Sequence, residues 1–310
     1  MTSRHSSLTN GLADLPDVSQ QSYPTGALYV VATPIGNLGD ITVRALHVLA
    51  LVDAVACEDT RNTGLLLARY GISTALIAAH QHNEREVAQT LVSRLQAGQR
   101  IALVSDAGTP AVSDPGARII DTIIEAGLRV IPLPGASAAI TALSASGLLA
   151  EQFHFVGFLP ARAGQRETVL RQLAASPATL VFYEAPHRIA ETINALSATL
   201  GASRRVVIAR ELTKQFEQIH RGVLQDAPAW LQQHDNHQRG EFVVLVEGLP
   251  RLTDDQDQVQ DWIEVDRILT ILLSECPVRQ AASLAARITG RKKNALYERA
   301  LELKDQAGAE

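Results

Sequence analysis

No part of this 310-residue chain holds the roughly 18 consecutive apolar residues that a membrane-spanning helix needs. Cysteine is nearly absent. Cys57 and Cys276 stand far apart and outside any Cys-x-x-Cys spacing, which argues against a disulfide framework and against a zinc site. Aromatic residues make up only 4% of the chain, so base-stacking platforms of the kind that read single-stranded RNA are not expected. The net charge of −5 gives no global pull toward nucleic acid, and any such affinity has to be local. Two phosphate-binding fingerprints are missing as well. No GxGxxG follows the first strand, and GxxxxGK[ST] occurs nowhere, which disfavours a dinucleotide-binding dehydrogenase and a P-loop NTPase. Residues 1–25 are rich in Ser, Asn, Gln and Asp, without a basic start followed by an apolar stretch. They read as a frayed tail on a cytosolic protein rather than a signal peptide.

What is present is alternation. Ala27–Thr33 is an almost unbroken apolar run rich in β-branched residues, as suits a parallel strand covered on both faces. Shorter strand patterns follow at Ala54–Cys57, Leu76–Ala79, Ile101–Val104 and Arg129–Pro132, each succeeded by a helical pattern. Strand–helix alternation predicts a parallel sheet wound with helices over about 26–150. In such sheets ligands gather at the carboxyl ends of the strands. The Gly-, Pro- and Ser-rich loops fall at those ends: Pro34–Asp40, Glu58–Arg61, His80–Glu84, Ser105–Asp114 and Pro134–Ser137. From Glu151 to about residue 250 a second α/β domain is expected, with strands near Phe153–Phe158, Thr179–Tyr183, Arg205–Ala209 and Phe242–Glu247. An additional strand at Gln218–Gly222 would make its sheet mixed. Thr253–Asp266 carries six acidic residues and no basic one and reads as a linker over about 251–262. Three short helical patterns follow over 263–310, punctuated by Pro277 and Gly290 in a helix-turn-helix-like order. Between Arg279 and Arg299 six basic residues face a single acid, Glu298.

Small-residue loops let backbone amides and carbonyls approach a flat ligand closely. Asp106 could accept hydrogen bonds from such a ligand, or simply cap a turn. Asp114 before Pro115 reads as the N-cap of a helix with proline at its first position, running to about Ala126.

Six motifs occur in order: TPIGNLGD (Thr33–Asp40), EDTR (Glu58–Arg61), SDAGTPAVSDPG (Ser105–Gly116), PLPGASA (Pro132–Ala138), FYEAPHR (Phe182–Arg188) and ARELTK (Ala209–Lys214). Together with KKNALYERAL (Lys292–Leu301), the set resembles the tetrapyrrole methylase superfamily and, within it, the branch that methylates a ribose 2′-hydroxyl of a cytidine in the decoding region of small-subunit ribosomal RNA. The resemblance implies two α/β domains with S-adenosylmethionine held in a cleft at their interface, a homodimer, and 16S rRNA, within the small subunit, as partner. The cofactor contacts it implies are Pro34, Asp106, Thr109, Ser137, Ala138, Tyr183 and Leu212, with Gly240 or Glu241 closing the adenine side.

Methyl transfer from a sulfonium is an in-line displacement in which positioning dominates, and a base that takes the proton of the alcohol helps. Candidate acid–base groups at strand ends are Glu58, Asp59, His82, Glu84, Glu184, His187 and Glu211; Arg61, Arg188, Arg210 and Lys214 are candidates for RNA phosphates. Lys214 would itself serve as a base if neighbouring cations and burial lowered its pKa. Glu184 and Arg188, four apart, also have the spacing of a helix-surface ion pair. Glu58–Arg61 could be no more than a capped helix start. His80 and His82 show no third ligand, so no metal is expected. Arg279, Arg287, Arg291, Lys292 and Lys293 are expected to meet RNA phosphates. Two competitors remain: a methyltransferase of a tetrapyrrole or corrin precursor, and a DNA-binding regulator whose α/β core senses a small ligand.

Overall fold

A computed structural model describes residues 18–80, 83–149, 151–249 and 254–307. It divides into two compact units, one ending at Leu249 and the other beginning at Pro250. The first contains two five-stranded sheets. Its N-terminal sheet is wholly parallel, with strands β1 (Ala27–Val31), β2 (Ala54–Cys57), β3 (Leu76–Ala78), β4 (Arg100–Val104) and β5 (Arg129–Leu133) in the order β3-β2-β4-β1-β5. Every residue of β1 and β2 is buried, as their continuous apolar sequences require. Helix Val43–Leu51, which follows β1, packs Ala45, Val48 and Leu49 with Val31 and Val55 in one core. Helices Glu84–Gln96 and Ala117–Glu125 pack Leu91, Leu95, Ile119 and Ile123 with Leu28 and Ile101 in another. The chain therefore leaves the neighbouring strands β1 and β4 over opposite faces, and a crevice opens beyond their carboxyl ends.

Residues 18–25, expected from the sequence to belong to a tail, are tied to the first sheet. Tyr23 is buried against Tyr29 and His47, its hydroxyl donates to the Val18 carbonyl (2.9 Å), and Arg100 Nε donates to its own carbonyl (2.9 Å).

The second sheet is mixed. Strands β6 (Phe153–Phe158), β7 (Thr179–Glu184), β8 (Arg205–Arg210), β9 (Gln218–Val223) and β10 (Phe242–Val246) lie in the order β6-β7-β10-β8-β9, and only β6 and β7 are parallel. One face buries Leu180, Phe182, Ile208 and Val244 against helices Ala163–Leu173 and Ile189–Leu200. The other face packs Val181, Val207, Val243 and Leu245 against Ala139 and Ala142 of helix Ala138–Ser146. That helix leaves β5 of the first sheet yet covers the second, which fastens the two sheets at the crevice. Its small side chains permit the close approach. At the far end of β10, a Cβ added to Gly248 would lie 2.0 Å from the Pro177 carbonyl oxygen. Gly248→Ala is expected to cost about 1–3 kcal/mol through this clash, read as a lower urea midpoint with an unchanged slope.

In the C-terminal unit, helices Asp254–Glu275, Val278–Thr289 and Lys293–Ala307 enclose Val265, Leu269, Ala282, Ala285, Leu296 and Ala300. Gly290 ends the second helix in the left-handed region (φ +72°). The acidic stretch read as a linker is helical from Asp254 onward. Arg299 is not a free cation there: its Nε and Nη2 grip both oxygens of Asp266 (2.8 and 2.6 Å), and Nη1 donates to Glu302 (2.6 Å). Among the described residues, no helix is long and apolar enough to cross a membrane.

Candidate functional site

Three loops of the first sheet are stitched together at the crevice. Thr33 and Gly108 exchange backbone hydrogen bonds (2.9 and 3.0 Å), Thr33 Oγ1 donates to the Ser105 carbonyl (3.0 Å), and Thr109 Oγ1 donates to the Ala136 carbonyl (2.9 Å). The loop after β4 is strained. Ala111 (φ +66°) and Ser113 (φ +63°) are left-handed without being glycine, a conformation that persists only where surrounding structure enforces it. Two contacts do so. The Gly116 N–H donates to Glu84 Oε1 (2.7 Å), a buried carboxylate from 32 residues earlier. Gly157, at the bulge of β6, brings its backbone close enough that a Cβ there would lie 2.7 Å from Ser113 Oγ. The helix expected from Pro115 therefore starts only at Ala117, with Gly116 in the capping position and no side-chain cap. Asp114 is not an N-cap; it lines a cleft.

That cleft has a volume of about 360 Å3. Of the residues singled out from the sequence, Thr109, Ser137, Ala138, Tyr183 and Leu212 line it. Apolar walls come from Ile35, Val112 and Phe242. The Ala139 N–H, in the first turn of helix Ala138–Ser146, donates to the Tyr183 hydroxyl (3.2 Å). Pro34 and Asp106 instead line a neighbouring hollow of about 280 Å3 with Asn62 and Arg69. Asp106, expected to face the ligand of the main cleft, accepts from the Asp59 N–H (3.2 Å) and Asn62 Nδ2 (2.9 Å). Gly240 adopts φ +90°, and a Cβ there would run into the Glu211 side chain; its neighbour Glu241 lines the cleft.

The charged candidates divide sharply. Glu184 closes strand β7 rather than standing on a helix. Its side chain is 0% exposed, its oxygens accept from the Ala185 N–H (2.8 Å) and Thr192 Oγ1 (2.6 Å), and Arg188 Nε lies 3.4 Å away. Arg188 also donates to the Leu159 carbonyl (2.5 Å), so this pair fixes a turn instead of presenting two functional groups. Arg210 is buried and donates to the Arg239 and Phe216 carbonyls and to Gln218, which leaves it no room for an RNA phosphate. Glu84 is the loop anchor described above. Lys214 Nζ is clamped between Glu211 Oε1 (2.9 Å) and Glu241 Oε2 (2.6 Å). Burial lowers the lysine's pKa, but those two carboxylates outweigh it and hold the ammonium above its ordinary value, so Lys214 is not a base. The same exchange holds the Glu211 carboxyl low despite burial. Glu211 (φ +51°) and Thr213 (φ +64°) form the second strained loop at the cleft.

Around β2 the picture is different. Burial, followed by the charges of Asp106 and Asp59, raises the Glu58 carboxyl. Asp59 is the N-cap of helix Thr60–Arg69, accepting from the Arg61 and Asn62 N–H groups, and the Arg61 guanidinium beside it takes its carboxyl down to about 2. The Arg61 side chain is 87% exposed, and its Nε and Nη2 donate to the two oxygens of Asp59 (3.2 and 2.8 Å). Asp114 is the residue the sequence reading underrated: burial first, then the Glu58 charge, push its carboxyl up to about 6. Its motif was visible in the sequence; its burial beside Glu58 was not. His187 is exposed. His82 lies outside the described residues, and among those described no group of His, Cys, Asp or Glu is arranged to hold a metal.

In the C-terminal unit Arg279, Arg287, Lys292 and Lys293 are exposed, and Arg291 stacks over the Trp262 ring at 4.6 Å.

Residues 27–228, which carry the first sheet and most of the second, match the family model "Tetrapyrrole (Corrin/Porphyrin) Methylases". Residues 259–304 match the model "RsmI C-terminal HTH domain". The chain belongs to the tetrapyrrole methylase family, in the branch whose curated members are named ribosomal RNA small subunit methyltransferase I. The member from Escherichia coli O157:H7 is 52% identical over 89% of this chain and 95% of its own. That from Haemophilus influenzae is 48% identical over 88% of this chain and 96% of its own. Among solved structures, uroporphyrin-III-C-methyltransferase from Thermus thermophilus shares the fold, with a TM-score of 0.53 and 20% identity over 72% of this chain and 94% of its own.

Proposed function

We propose that this chain is an S-adenosylmethionine-dependent methyltransferase that modifies the ribose 2′-hydroxyl of a cytidine in the decoding region of 16S rRNA. It works in the cytoplasm as a homodimer on RNA presented within the small ribosomal subunit. The observation that carries the reading is the identity of about half the residues, over nine-tenths of the chain, with relatives whose name specifies small-subunit ribosomal RNA.

The cleft fits the cofactor. Its volume lies within the range of small-molecule sites, and its walls are mostly apolar with a few polar groups, as nucleoside-sized ligands require. Thr109, Ser137, Ala138, Tyr183 and Leu212 would hold the cofactor, with Glu241 at one rim. When bound, it supplies an electrophilic methyl group on a sulfonium. The first turn of helix Ala138–Ser146 favours a carboxylate at that end of the cleft through its dipole. The exposed cations of the C-terminal unit, and Arg61 on release from Asp59, would meet phosphates.

The test is incubation of the protein with methyl-labelled S-adenosylmethionine and small ribosomal subunits lacking the modification, followed by mapping of the labelled nucleotide. The expected product is one cytidine with an alkali-resistant 3′ linkage. Label on a base, or transfer only to a tetrapyrrole precursor, would overturn the reading.

A further inference from the structure

Three carboxylates line the cleft: Asp114, Glu184 and Glu241. Glu184 is spent on Ala185, Thr192 and Arg188, and Glu241 is bound to Lys214. Asp114 alone is paired with no cation among the described residues. The groups that face it are the Glu58 and Asp106 carboxylates and the Ser105 hydroxyl from the strand ends, with the Tyr183 hydroxyl across the cleft and His80 beyond Glu58. Two left-handed residues, Ala111 and Ser113, hold this loop, which Glu84 and the bulge at Gly157 brace from outside. A backbone strained in this way, ending on an unpaired carboxylate in a cleft, is built to present that side chain.

We propose that Asp114 is the catalytic base of this site, accepting the proton of the ribose 2′-hydroxyl as the methyl group is transferred. The inference rests on the function proposed above. The hydroxyl oxygen forms the bond to the methyl carbon, the carbon–sulfur bond breaks with its electron pair left on sulfur, and the proton passes to the Asp114 carboxylate. Burial and the Glu58 charge make this carboxylate a stronger base than an ordinary aspartate, yet one still ionised at neutral pH.

Asp114→Asn separates this role from a structural one. Transfer to the ribose is expected to fall by about 10²–10⁴-fold, while the S-adenosylmethionine dissociation constant from calorimetry stays within about threefold of wild type, with Asp114→Glu recovering part of the rate. Wild-type rate should decline as pH drops through about 6, where Asp114 becomes protonated, and the variant should lose that limb. A readout without substrate goes with it. The fold disfavours the ionised form, so the neutral amide should raise the melting temperature at pH 7.5 and do so less at pH 5. An Asp114→Asn enzyme with wild-type rate, or one whose cofactor affinity falls in step with its rate, overturns the assignment while the proposed function stands. Wild-type transfer to a site other than a ribose hydroxyl overturns both.

Discussion

Replacing Glu184 by alanine is expected to remove about 3–5 kcal/mol of folding stability, the usual loss when one partner of a buried ion pair is deleted. The reason is what remains. Arg188, with a largely buried side chain, would lose its carboxylate; the Thr192 hydroxyl and the Ala185 N–H would lose their acceptors. Ala185 and Arg188 sit in the turn after β7 and Thr192 is buried in the first turns of helix Ile189–Leu200, so little of the penalty is relieved by water. Urea unfolding should show a large drop in midpoint with an unchanged slope. Glu184→Gln, which keeps an acceptor for Thr192, should lose less, and Thr192→Val about 1–2 kcal/mol. A loss below about 1 kcal/mol for Glu184→Ala would mean that the carboxylate does not organise this turn. The cleft wall at Tyr183–Pro186 depends on the same turn, so weaker cofactor binding is expected to accompany the destabilisation.

The second large effect concerns RNA. Changing Arg279, Arg287, Lys292 and Lys293 together to alanine should weaken binding to small-subunit RNA by about two to three orders of magnitude in 0.1 M salt. The dependence of log affinity on log salt should flatten by roughly 3, because each lost phosphate contact removes a little under one unit. All four side chains are exposed, so the unit should stay folded. Cofactor binding should not change, since the cleft is built from residues before Leu249. Arg299→Ala is the informative control. It is fixed by Asp266 and Glu302, so its loss should lower stability without flattening the salt dependence. An unchanged salt slope in the fourfold variant would exclude these four cations from RNA contact.

Much of the architecture is local information. Continuous apolar runs at Ala27–Val31, Ala54–Cys57 and Ile101–Val104 suit strands covered on both faces, and the loops rich in glycine and proline between strand and helix mark the ligand end of the sheet. The residues that the motifs single out as expected cofactor contacts line the cleft or stand next in sequence to a residue that does, because small residues at fixed positions along the chain shape such loops.

The chemistry of single side chains was another matter. Glu184 and Arg188 have the spacing of a surface pair on a helix, but the strand runs one residue longer and carries the carboxylate into the core. Lys214 could have been a depressed base had cations surrounded it; Glu241, 27 residues later, settles the opposite. Asp114 next to Pro115 has every local mark of a helix cap. Glu84 and Gly157, distant in sequence, hold the backbone so that the cap position falls to Gly116 and the carboxylate turns into the cleft beside Glu58. The sequence by itself determined which segments are strands, which loops stand at their carboxyl ends, and what family the chain belongs to, since those follow from patterns along the chain. Which carboxylate stays unpaired and which cation is neutralised was decided only by the tertiary structure, because charge and burial depend on neighbours that the chain brings together from far apart.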